Sequence, residues 1–170
     1  MGLGQAGTEY TWNHFSHSLT QYYYWPEGLD TRMDNLTGNG AHDWDHVVIG
    51  ADPYIVATIP GYYSLGVNKI AAKVEEGDAQ PLLLMMWPRD EASSASIEHF
   101  EEFTYRTADG AKVPLPVVPA GLAWDDLPEE KKDVAIPHPT PNGAYLAAAT
   151  IYAYIFGESA SSSDYIYDDE

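Results

Sequence analysis

The chain of 170 residues contains no cysteine, and only 8 of its residues are lysine or arginine against 26 that are aspartate or glutamate. The missing thiols exclude disulfide staples, thiolate nucleophiles and cysteine metal ligands, and leave the redox compartment open. The shortage of positive charge gives a formal net charge of −18, which disfavours a nucleic-acid backbone or an anionic membrane surface as partner. Long hydrophobic runs are also lacking. No stretch approaches the roughly 20 apolar residues of a membrane span. The opening Met1-Gly2-Leu3-Gly4-Gln5 has neither the basic nor the apolar region of a signal peptide, and Ala6 stands where a myristoylation site needs Ser or Thr. The expectation is a cytoplasmic address if Met1 is the natural start, with a secreted or periplasmic one open if it is not.

What is present suits one globular domain. Hydrophobic residues make up 45% of the chain, enough for a sizeable core at this length. Thirteen tyrosines and five tryptophans are many, and aromatic rings beside carboxylates suit carbohydrate surfaces as well as cores. The domain is expected over residues 1–158. After Gly157 a serine-rich, acidic segment, 159–170, reads as a flexible tail.

Along the chain, Gly4 and Gly7 suggest a tight, backbone-exposing loop, and Tyr22-Tyr23-Tyr24-Trp25-Pro26 an irregular aromatic segment. Val47-Val48-Ile49, closed by Gly50, is a short continuous apolar run of the kind found in buried parallel strands. The loop Ala51-Asp52-Pro53-Tyr54 would then lie at the strand's C-terminal edge, where open α/β sheets bind ligands. Val67, Ile70, Ala71 and Val74 predict a helix over 63–76. Pro81 to Trp87, closed by Pro88, reads as a second buried strand. A helix over 96–105 would turn Ile97, Phe100 and Thr104 inward and Glu98, Glu101 and Glu102 outward. A third strand within 113–124 is interrupted by Pro114, Pro116 and Pro119, which places it near a sheet edge. Thr140 as N-cap, Pro141 at the first helical position and Gly157 as stop predict a last helix from about 142 to 156. Strand and helix alternate, so the fold class is α/β with a mostly parallel sheet covered on both faces. Three strands make that sheet thin.

Candidate chemistry falls into two groups. His14, His17, His42 and His46 with neighbouring aspartates invite a metal reading, but no ligand set stands at a diagnostic spacing, so no metal is assigned. The alternative is His138, held by Pro137 and Pro139 just ahead of the last helix, as a general base.

The block His138-Pro-Thr-Pro-Asn-Gly-Ala-Tyr-Leu-Ala-Ala resembles the histidine block of the SGNH (GDSL-type) hydrolases, and Trp44 to Ile49 resembles the strand before that family's third block. The strands at Leu83–Trp87 and Val117–Trp124 also sit where the family has its next two. The resemblance implies a flavodoxin-like three-layer α/β/α sandwich, lacking its first, central strand, and a serine esterase acting on O-acyl groups of carbohydrates or small esters. It implies no cofactor. His138 would be the general base, Asp133 the nearest carboxylate to orient it, Gly7 an oxyanion-hole glycine, and Gly50 with Asp52 the third-block loop. Three departures are plain. The Gly-Asp-Ser block is absent, Asp52 replaces an asparagine donor, and Ala135 stands three residues before His138, where the family carries its acid. They support an alternative: a non-catalytic binding or scaffold domain of the same fold, with Tyr22 to Trp25 and Trp87 as a sugar-stacking surface. An absent central strand would also leave a sheet edge open to self-association.

Overall fold

The structure is a computed structural model that describes residues 44–88, 95–132 and 140–162. Continuous apolar runs form its sheet. Strand β1 (His46–Ile49) pairs in parallel with β2 (Gln80–Leu84), with Val47 opposite Pro81 and Ile49 opposite Leu83. Strand β3 (Val117–Val118) pairs in parallel on the other side of β2, giving the order β1-β2-β3. The Gln80 N–H donates to the Asp45 carbonyl at 2.9 Å, and the Leu83 N–H to the Pro116 carbonyl at 2.8 Å. By the alternation of an extended chain, even residues of β2 therefore turn their backbone groups to β1 and odd ones to β3. Pro81 is odd, and β3 begins two residues beyond its level, so the N–H it lacks would have no partner there. Pairing outlasts the regular strand: the Met85 N–H donates to the Val118 carbonyl at 2.9 Å.

Helices cover both faces. On one, Ile49, Leu83 and Met85 pack with Tyr63, Val67, Ile70, Ala71 and Val74 of α2 (Pro60–Glu75) and Phe100 of α3 (Ile97–Asp109). Val67, Ala71, Val74, Leu83 and Phe100 retain no exposure, and full burial of each larger apolar side chain is worth about 1.5–3 kcal/mol. On the other face, Leu84 and Trp87 meet Trp124 of α4 (Ala120–Asp125) and Leu146 and Ala147 of α5 (Pro141–Phe156). The fold class is α/β, as the alternation of elements required.

Several boundaries differ from the sequence reading. Asp52 opens a six-residue helix, α1 (Pro53–Thr58), where a loop was expected, and Ile59 separates it from α2. Helix α3 continues four residues beyond Tyr105, because Thr107 extends its buried stripe. The expected third strand shrinks to Val117 and Val118, and Trp124 belongs to a helix. Proline at 114, 116 and 119 leaves too few N–H groups for a longer ladder. After α2 it is Asp78, not Gly77, that adopts a left-handed backbone, at φ 61°. Helix α5 ends as expected, with Gly157 at φ 65° and its N–H on the Ala153 carbonyl. Beyond it, Ala160–Ser162 form one 3-10 turn.

A polar seam joins α2 to α3. The Ser64 and Thr107 hydroxyls are 2.6 Å apart, and the Asn68 side-chain amide donates to the Ser64 carbonyl at 2.8 Å. Burial pushes the Tyr63 hydroxyl up to about 12. The neighbouring Thr104 hydroxyl pulls it the other way but makes no well-formed hydrogen bond, so burial governs.

Candidate functional site

Because all three strands are parallel, their C-terminal ends share one edge of the sheet. Gly50 and Asp52 follow β1 there, Met85 to Trp87 follow β2, and α4 follows β3. Gly50 is exposed, and a Cβ on it would meet only the Leu84 Cδ2 at 3.9 Å, so the loop has room above it. Asp52 is exposed as well. Its Oδ1 accepts the Tyr54 N–H at 2.9 Å, and its carbonyl accepts the Ile55 N–H at 2.9 Å. The side chain is therefore a helix N-cap, held by the first turn of α1. A carboxylate is an acceptor only, so this group offers no donor to a developing oxyanion. The donors at this loop are backbone amides.

Two tryptophans lie beneath the neighbouring strand ends. Trp87 and Trp124 stack with ring planes 9° apart and centroids 6.4 Å apart, and are 5% and 8% exposed. That burial overturns the expectation that Trp87 belongs to a sugar-stacking surface: its ring is spent on Trp124. The Trp124 indole N–H is buried and has no hydrogen-bond partner among the described residues. Leu146 and Ala147 rest on the same pair, so the first turns of α5 stand at this edge of the sheet. Pro141 begins that helix three residues after His138.

Lys132 forms an anchor beside Trp124 that motif reasoning passed over. Its ammonium bonds to Glu129 at 2.7 Å and to Asp125 at 3.3 Å, and lies 5.4 Å from the Trp124 ring centroid. The hydrogen bond to Glu129 chiefly raises its pKa above the ordinary lysine value; burial opposes it, and Asp125 adds a smaller push upward. Lys132 thus pins the chain at the residue before Asp133. The signal was in the sequence: Glu129 and Lys132 stand three apart, the spacing of one helical turn.

Of the expected site residues, Gly50 and Asp52 are brought to the C-terminal edge. Gly7, Asp133 and His138 lie outside the described residues, as do His14, His17, His42 and the Tyr22 to Trp25 segment. His46 is exposed at the start of β1, at the opposite end of the sheet from Gly50. Among the described residues no three His, Asp or Glu side chains are grouped to hold a metal, and no helix is long and apolar enough to cross a membrane.

A parallel sheet with helices on both faces, a Gly-Ala-Asp loop at its C-terminal edge and helix α5 starting at that edge define an α/β protein built on an open parallel sheet. No family model and no curated protein sequence matches the chain. Among solved structures, a protein from Slackia heliotrinireducens, described as "a putative SGNH hydrolase", matches with a TM-score of 0.67 over 82% of this chain and 79% of that one, at 18% identity. The likeness is one of fold: the chain has an SGNH-hydrolase-like architecture.

Proposed function

We propose that this chain is an SGNH-type ester hydrolase domain acting on O-acyl groups of carbohydrates or small esters. The observation that carries the reading is the convergence at one sheet edge of the Gly50–Asp52 loop and the N-terminal turns of α5, the helix that follows His138. The SGNH-like fold supports it. In the proposed scheme a serine hydroxyl attacks the ester carbonyl, and His138 takes its proton and returns it to the leaving alcohol. Asp133, next to the anchored Lys132, orients His138. Backbone N–H groups of Gly7 and Gly50 face the oxyanion. The serine is the component for which the chain offers no Gly-Asp-Ser block.

A second reading is favoured by one specific observation. Asp52 spends its carboxylate on capping α1 and presents no donor, which suits a non-catalytic binding or scaffold domain of the same fold. The two readings separate in one experiment. An esterase hydrolyses p-nitrophenyl acetate above the buffer rate, takes up a fluorophosphonate probe on serine, and loses on the order of a hundredfold or more in rate on His138→Ala. A buffer-level rate with no labelled serine leaves the binding domain standing and ends the catalytic proposal.

A further inference from the structure

We infer that Tyr54 is a specificity-determining residue of this edge: its ring is a platform for a neutral sugar that carries the O-acyl group. The inference rests on the ester-hydrolase reading of the Gly50–Asp52 loop, and it chooses the sugar ester where that reading admits carbohydrates and small esters alike. Tyr54 stands two residues beyond Asp52, in the first turn of α1. Its backbone is held at both ends. The N–H donates to the Asp52 Oδ1 at 2.9 Å, and the carbonyl accepts the Thr58 hydroxyl at 2.6 Å. Ile55 and Val56 are buried and fasten the same helix to the core. Tyr54 is instead 59% exposed and belongs to neither core cluster among the described residues. Helical side chains tilt towards the N-terminus of their helix, and α1 starts at the C-terminal edge of the sheet, so the ring leans back towards the Asp52 loop.

The ring and the charge of the chain together select the ligand. A tyrosine offers an apolar face with only two side-chain torsions to fix, and a hydroxyl that both donates and accepts. A pyranose has the matching surface, with C–H groups on its faces and hydroxyls around its rim. At −18, the chain repels phosphorylated, sulfated or uronic sugars, which leaves neutral rings. Trp87 and Trp124, at the same edge, are buried against each other, so stacking falls to Tyr54. A small aliphatic ester presents no such face. A sugar stacked on the side chain also leaves the Gly50 N–H free for the acyl oxygen.

Glucose pentaacetate and ethyl acetate, one with a sugar ring and one without, separate the inference from the reading beneath it. Acid release at constant pH follows hydrolysis of each by the full chain, and an NMR titration follows binding of glucose pentaacetate. Tyr54→Ala should lower kcat/KM for the sugar ester, relative to that for ethyl acetate, by about three- to tenfold, and weaken its binding as much. Tyr54→Phe, which keeps the ring, should restore most of both. Tyr105→Ala, which removes a 38% exposed ring from α3, should move neither. The bonds to Asp52 and Thr58 are made by the Tyr54 backbone, so the alanine variant keeps them. Should it fail to fold, Tyr54→Leu, apolar without an aromatic face, carries the same expectation. A parent that hydrolyses neither ester but binds glucose pentaacetate through Tyr54 ends the catalytic reading and keeps the platform. A parent that hydrolyses ethyl acetate at a ratio unmoved by Tyr54→Ala, or one that binds no sugar ester, overturns the platform.

Discussion

Replacing Gly121 by alanine adds one methyl group where the structure has no room for it. Helix α4 starts immediately after β3 and is pulled down onto the end of β2, with the Gly121 N–H on the Met85 carbonyl at 2.9 Å. A Cβ at this position would collide with the Met86 carbonyl oxygen and lie 3.1 Å from both the Met86 carbonyl carbon and the Met85 Cε. The methionine tip can swing away, but the carbonyl belongs to the backbone just beyond β2. Two effects oppose each other. Alanine is favoured over glycine inside a helix by roughly 0.5–1 kcal/mol. Overpacking a fixed site costs about 1–3 kcal/mol, and a contact this short with backbone belongs at the upper end. The net expectation is a loss of about 1–2 kcal/mol, which for a chain of this length lowers Tm by roughly 2–8 °C. Urea unfolding followed by circular dichroism measures it as a lower midpoint at unchanged slope. Gly61→Ala is the control: nothing lies within 4 Å of its Cβ position in α2, so it should hold or raise stability by up to about 1 kcal/mol. A Gly121→Ala protein as stable as the parent would refute the close approach of α4 to β2, and with it the packing of Trp124 at the site.

Asp52→Ala should cost about 1 kcal/mol through the lost cap on α1, whereas Asp52→Asn, an equally good cap, should leave the urea midpoint nearly unchanged. Equal midpoints for the two variants would show that the cap contributes nothing. Tyr63 gives a pH dependence of known sign. Its folded-state pKa of about 12 exceeds the ordinary value of 10.0, so the neutral phenol contributes stability that is fully present below pH 10. That contribution is lost as pH rises towards 12, by about 2–3 kcal/mol in all. Tyr63→Phe should flatten this part of a stability-against-pH curve, and an unchanged curve would place the loss elsewhere.

How much could be read beforehand follows the physics of each element. Val47–Ile49 and Leu82–Leu84 are apolar without alternation, which only a strand covered on both faces satisfies, so the parallel sheet was legible. Helix α5 carried its signals in Thr140, Pro141 and Gly157, and α3 in the spacing of Ile97, Phe100 and Thr104. The short helices were hidden. Asp52-Pro53 reads equally as a turn, and six residues are too few for an amphipathic period to show. Trp124 looked like strand because the run before it is apolar. It is helical because Gly121 allows α4 to lie on the Met85 and Met86 carbonyls, a tertiary fact with no local trace. For the site, position after a strand located Gly50 and Asp52. It could not tell that the Asp52 carboxylate is turned to its own helix, nor that Trp87 is buried under a second tryptophan.

Asp52 and β1 bear on function together. Aspartate and asparagine cap a helix equally well, so the stability of α1 does not require the carboxylate. Aspartate at this position removes a side-chain donor from the loop and adds a negative charge beside any oxyanion formed there, with no structural return. A catalytic site at this edge would therefore rest on backbone amides, and Gly50 is one of them. That same Gly50 is the last residue whose backbone groups face the side of β1 that has no neighbouring strand among the described residues. A strand lying parallel to β1 would end its run beside Gly50 and deliver whatever follows it to the Asp52 loop. The direction of the strand that occupies this edge thus decides what chemistry can stand next to Gly50.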